Sequence, residues 1–89
     1  MKRAEIKITG QVQGVFFRQS TKEKADELNI VGWVRNEPDE SVLIAAEGEE
    51  ENLQKLIEWT RVGTKFAKVE GVEVEWGGAT NEFYTFEMK

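Results

Sequence analysis

From Gly10 to Arg18 the chain reads Gly10-Gln11-Val12-Gln13-Gly14-Val15-Phe16-Phe17-Arg18, with a glycine at each end of the first half and an arginine where a helix opens. Glycine admits the positive backbone angles that turn successive N–H groups into one concavity, and a helix N-terminus adds partial positive charge. The segment is a candidate anion cradle. Arg18 contributes a permanent charge and a planar fork matched to phosphate oxygens, which lysine does not offer. A strand-to-helix turn carrying a surface arginine accounts for the same residues, so the loop alone leaves both readings open. Asn36 is the second polar residue placed to do chemistry. Standing two positions before Pro38, it reads by itself more readily as a turn-forming asparagine, and only Arg18 and the loop on the same edge reverse that reading.

What the chain lacks narrows that chemistry. It has no cysteine and no histidine, which removes disulfides, thiolate nucleophiles, a Ser-His triad, a phosphohistidine intermediate and the usual zinc ligand sets. The aspartates and glutamates show no metal-binding spacing, so no metal and no other cofactor is expected. A net charge of −5 speaks against nucleic acid as a partner, because phosphate-backbone affinity comes from clustered Lys and Arg. No charged segment followed by an apolar one opens the chain, and no apolar run approaches the roughly 18 residues that span a bilayer. The expectation is a cytoplasmic protein with no membrane partner. Its 89 residues leave room for one domain, 1–89, in which any site is built from a single core.

Hydrophobic periodicity supplies the elements that must position these residues. Ala4, Ile6 and Ile8 alternate with Glu5, Lys7 and Thr9 as a strand with one buried face. Thr21, Ala25 and Leu28 recur at helical spacing, and Ser20 with Glu23 has the spacing of a capping box, although the helix has room to begin earlier. Asn29 is a helix stop, after which Val31–Arg35 reads as a second strand. Asn36 to Glu40 is a turn in which Pro38 presets one backbone angle and Asp39 can bond the backbone locally. A third strand covers Ser41–Glu47, and Gly48 breaks it. Glu49, Glu50 and Glu51 suit a helix N-terminus, and Leu53, Leu56, Ile57 and Thr60 form the buried stripe of that second helix. Val72, Val74 and Trp76 mark a fourth strand, Gly77-Gly78 a turn, and Tyr84, Phe86 and Met88 a short final strand.

The order βαββαβ plus one strand predicts an α+β, ferredoxin-like sandwich: an antiparallel sheet with two helices on one face and a short C-terminal strand. In that topology the first and second strands run parallel, with one strand between them, so their C-terminal ends share an edge. Residues 11 to 17, the start of the first helix and Asn36 should therefore lie together. Two strand spacings are about 9.5 Å, a gap that an arginine side chain and a bound phosphate fill from both sides.

The segments Gly10 to Arg18 and Gly32-Trp33-Val34-Arg35-Asn36, at this spacing, closely resemble the two signature motifs of the acylphosphatase family. The resemblance continues through Thr21, Ala25, Leu28, Ser41-Val42 and Glu47-Gly48, and so covers nearly the whole chain. It implies metal-independent hydrolysis of carboxyl-phosphate anhydrides to a carboxylate and inorganic phosphate. It also implies roles: Gln13, Gly14, Val15, Phe16 and Phe17 as backbone donors to the phosphoryl group, Arg18 as the phosphate clamp, and Asn36 as the residue that orients the attacking water. Partners are then an acyl phosphate and inorganic phosphate, with no nucleic acid, and the protein is expected to be a monomer. Glu40 is one departure, standing where the family usually has glycine.

An acyl phosphate carries a carboxylate leaving group, so positioning and charge stabilisation suffice without a strong general acid. The absence of histidine is then no obstacle. For the other residues in these motifs structural roles are the stronger reading: Trp33 and Val34 as strand residues, Arg35 in a surface ion pair, Phe16 and Phe17 as anchors of the loop to the core, and Glu49 to Glu51 as partners of a helix dipole. Because a fold does not fix a function, the alternative is a non-catalytic ferredoxin-like module that binds a small anionic ligand.

Overall fold

A computed structural model describes residues 1–89. The alternating apolar residues near the N-terminus form β1 (Lys2–Gln11), followed by α1 (Phe17–Glu27), β2 (Val31–Asn36), β3 (Val42–Gly48), α2 (Glu50–Val62), β4 (Lys68–Gly78) and β5 (Phe86–Met88). The five strands make one sheet in the order β4-β1-β3-β2-β5. β3 lies antiparallel between β1 and β2, in register from Ile6 opposite Ile44 and from Val34 opposite Ile44. β1 and β2 therefore run the same way, and their C-terminal ends meet at one edge.

One face of this sheet is the core. Ala4, Ile6 and Ile8 of β1, Val34 of β2 and Val42, Ile44 and Ala46 of β3 are all buried against the two helices. Phe17, Thr21 and Ala25 are the buried face of α1, and Leu53, Leu56, Ile57 and Thr60 that of α2, as the helical spacing requires. α1 lies over β2 and β5, and α2 over β1 and β4. The opposite face of the sheet carries the charged half of the alternation, including Glu5, Lys7, Glu73 and Glu75.

Four details depart from the sequence expectation. The sheet is mixed, because β5 pairs with β2 in parallel, Gly32 opposite Phe86 and Val34 opposite Met88, while the other four strands are antiparallel. That last strand is shorter than its alternation, and Tyr84 lies outside it at 91% exposure. Gly77-Gly78 is not a turn: both residues extend β4, opposite Arg3 and Lys2, because β1 begins early enough to offer them ladder partners. Finally, α1 starts at Phe17, so Ser20 sits inside the first turn, with its N–H donating to the Phe16 carbonyl at 3.1 Å, and does not cap the helix.

Candidate active site

The loop between β1 and α1 is shaped by its glycines. At Gly10 the β1–β4 register slips, and the residue takes φ 122° against the β4 backbone; a Cβ there would stand 2.2 Å from the Lys68 carbonyl oxygen. Gly14, at φ 74°, turns the chain again, and Phe16 follows with φ 65° as the residue before the helix. The N–H groups from Gly14 to Arg18 donate to no backbone carbonyl, and α1 has neither a side-chain cap nor an acidic residue in its first turn. The positive end of α1 is therefore left open. α2 is the opposite case, with Glu50 and Glu51 in its first turn.

Arg18 emerges from this first turn. One of its guanidinium nitrogens, Nη1, donates to the main-chain oxygen of Lys89 at 2.6 Å, and Lys89 is itself held by its N–H to the Val34 carbonyl at 2.8 Å. The end of β5 thus orients one arm of the fork. Asn36 closes β2 on the side of the sheet that faces the helices, two residues beyond buried Val34. Its Oδ1 is buried and has no hydrogen-bond partner in the protein. A buried acceptor without a partner is costly, and such atoms are few in folded proteins.

The cleft between these elements has a volume of about 270 Å³ and is lined by Val12, Gly14, Phe16, Phe17, Arg18, Gln19, Asn36 and Met88. Five of the seven site residues read from the sequence thus converge on it: Gly14, Phe16, Phe17, Arg18 and Asn36. The side chains of the other two leave it. Val15 packs against the core. Gln13 reaches the β2–β3 turn, where its Nε2 donates to the carbonyls of Glu37 and Ser41, each at 2.9 Å. Reading side chains by type also missed Val12, Gln19 and Met88. For Met88 the signal was its alternation with buried Phe86, but the parallel pairing that brings it to the same edge as Asn36 has no local mark in the sequence.

The two loop phenylalanines have different fates. Phe17 anchors the loop as expected: it is buried, with its ring 5.3 Å from that of Trp59. Phe16 does not. The left-handed conformation at this position swings its side chain away from the core, and it is 65% exposed.

Behind Asn36 the turn is braced from three sides. Asp39 accepts hydrogen bonds from both the N–H and the hydroxyl of Ser41, and its other oxygen meets Lys7 Nζ at 3.0 Å. The Ser41 hydroxyl and then Lys7 hold the Asp39 carboxyl well below the usual carboxylate range, and the hydrogen bond and charge of Asp39 push Lys7 up. Gln13 provides the third brace. Glu40, the departure from the family pattern, adopts φ 73° itself, so the turn keeps the shape a glycine would give at a cost of about 1–2 kcal/mol. Arg35 forms the surface ion pair expected of it, with Glu37 at 3.2 Å, and lies 4.5 Å over the Trp33 ring.

A ferredoxin-like sandwich that gathers an open helix N-terminus, an arginine and an unpartnered amide oxygen at one edge of its sheet has the donors that a small anionic group requires. The Acylphosphatase family model matches residues 4–88, and the chain belongs to that family. An acylphosphatase from Salinibacter ruber is 46% identical over 88 residues, covering 99% of this chain and 93% of the relative. The crystal structure of acylphosphatase from Bacillus subtilis superposes with a TM-score of 0.96 at 35% identity, covering 100% of this chain and 99% of that one. An acylphosphatase structure from Coxiella burnetii gives 0.92 at 34% identity, covering 99% and 92%. Membership brings the enzyme class with it: a hydrolase acting on acyl phosphates, with inorganic phosphate as a product.

Proposed function

We propose that the phosphoryl group of an acyl phosphate sits against the N–H groups of Gln13 to Phe17, clamped by Arg18, while Asn36 holds the water that attacks phosphorus. Its amide oxygen accepts a hydrogen bond from that water and so directs a lone pair at the phosphorus. A P–O bond forms to the water oxygen, the P–O bond to the acyl group breaks, and the electron pair leaves on the carboxylate. Asparagine is no base, so a phosphoryl oxygen of the substrate takes the water proton. Charge spread over the phosphoryl oxygens in the transition state is met by donors already in place, and removing one such donor typically costs about 100- to 1000-fold in rate.

The observation that carries this reading is the buried, unpartnered Oδ1 of Asn36 in the wall of the cleft that Arg18 and the loop also line. A buried acceptor of this kind calls for a donor from outside the protein. The test is phosphate release from a synthetic aryl acyl phosphate with a chelator present, run in ¹⁸O-labelled water. Turnover that survives the chelator and places the label in inorganic phosphate supports attack on phosphorus without a metal. Label in the carboxylate would put the attack on the acyl carbon and remove the role given to Asn36.

A further inference from the structure

Two large apolar side chains stand among the exposed residues of the cleft, beside Gly14 and Gln19, and phosphate chemistry makes no use of them. Phe16 and Met88 both line the cleft while remaining 65% and 48% exposed. Phe66, from the segment between α2 and β4, stands beside Phe16 with ring centroids 5.9 Å apart and planes at 56°. It too is exposed, at 58%. This second segment is tied to the phosphate loop, because the Thr64 hydroxyl donates to the Val15 carbonyl at 2.8 Å. The two rings therefore belong to one braced wall.

Phe16 occupies a left-handed backbone conformation that disfavours a bulky residue. Asparagine is better tolerated there, and glycine costs nothing. The strain is not offset by burial, as it would be had the ring entered the core beside Phe17. What it does place is an exposed aromatic surface on the cleft, one residue before the helix N-terminus. On the phosphoryl site proposed above, the acyl part of the substrate is the group left to occupy this exposed part of the cleft.

We infer that Phe16, backed by Phe66 and sharing the cleft with Met88, forms the acyl-group subsite and selects aromatic or extended apolar acyl groups over small polar ones such as carbamoyl. The inference rests on the phosphoryl site proposed above. With phosphorus held by Arg18 and the loop, an acyl carbon and its substituent extend toward the rim, where a flat apolar group covers the Phe16 face and loses water contact. A carbamoyl amide gains nothing there and gives up hydration.

The experiment is kcat/KM for benzoyl, acetyl and carbamoyl phosphate in the wild type and in Phe16→Asn, Phe16→Tyr and Phe66→Ala. Asparagine tolerates the left-handed backbone, so Phe16→Asn removes the ring while keeping the loop; Phe66→Ala removes the backing ring from a segment outside the loop. Phe16→Asn should lower kcat/KM for benzoyl phosphate relative to acetyl and carbamoyl phosphate by roughly three- to ten-fold, the scale of one aromatic contact; the ratio is what is read, because the Phe16 N–H belongs to the phosphoryl cradle. Phe66→Ala should do the same more weakly, and Phe16→Tyr should keep the preference. An equal fall for all three substrates in Phe16→Asn, or an unchanged value for benzoyl phosphate in both ring deletions, overturns the subsite. Failure of the folded wild type to turn over any of the three would instead overturn the phosphoryl site, and the subsite with it.

Discussion

The Gln13 side-chain amide donates to the Ser41 carbonyl across 2.9 Å, joining the loop between β1 and α1 to the start of β3, and the same nitrogen also reaches the Glu37 carbonyl. Asn36 immediately precedes the segment closed in this way. The loop proposed to cradle the phosphoryl group and the residue proposed to hold the water are thereby fixed to each other by one side chain.

Gln13→Ala should therefore act on turnover more than on binding. Misplacing the water by a fraction of an ångström is expected to lower kcat by roughly 10- to 100-fold, with affinity for inorganic phosphate changed by no more than about three-fold. Steady-state kinetics with phosphate as a competitive inhibitor separates the two. Gln13→Asn, one methylene shorter, should not restore the rate.

Glu40→Gly should stabilise the protein. Glu40 pays for φ 73° with a side chain that makes no hydrogen bond or ion pair, and relieving that strain outweighs the extra freedom glycine gives the unfolded chain by about 0.5–1 kcal/mol. The urea midpoint should rise at constant m-value, with kcat within about two-fold of the wild type. A lower midpoint would mean that the glutamate supports the turn in another way.

Glu47 should make the protein acid-sensitive. It is fully buried in β3, and its carboxylate takes Arg3 Nη1 at 2.9 Å, the N–H and hydroxyl of Thr80, and the N–H of Asn81. Burial raises its pKa, but the bonds from Thr80, Asn81 and Arg3 outweigh burial and hold it down to about 2, against an ordinary value of 4.5. A depressed carboxylate contributes stability that is complete above its unfolded value and lost as pH falls through its folded one. The contribution of Glu47 should therefore be constant above 4.5 and disappear toward 2. Glu47→Gln should be less stable near neutrality by roughly 1–3 kcal/mol, with the gap closing as the pH falls through that window. Urea melts of both proteins across the window check this, and a gap independent of pH would contradict it.

Much of this architecture could be read from the chain, because buried faces leave a period. Ala4, Ile6 and Ile8 marked β1, and Leu53, Leu56, Ile57 and Thr60 marked α2, since each face meets a single core. Arg18 and Asn36 were placed together by topology, which needs only the element order. What local pattern could not show depends on partners distant in sequence. Gly77-Gly78 has turn composition, yet continues a strand because Lys2 and Arg3 lie opposite. Met88 enters the cleft through a parallel pairing of β5 with β2. Phe16 and Phe17 are adjacent residues of one type, and only the backbone angle at Phe16 sends one ring out and leaves the other in.

The division of labour between Arg18 and Asn36 is tested most directly by measuring phosphate affinity and kcat together in Arg18→Ala and Asn36→Ala, once circular dichroism shows both variants folded. Arg18→Ala should lose both. Asn36→Ala should bind inorganic phosphate within about two-fold of the wild type while kcat falls on the order of 100- to 1000-fold, the scale of one lost transition-state contact. Loss of phosphate affinity in Asn36→Ala equal to that in Arg18→Ala would contradict the account, because Asn36 would then be a ligand of the phosphoryl group and not the holder of the water.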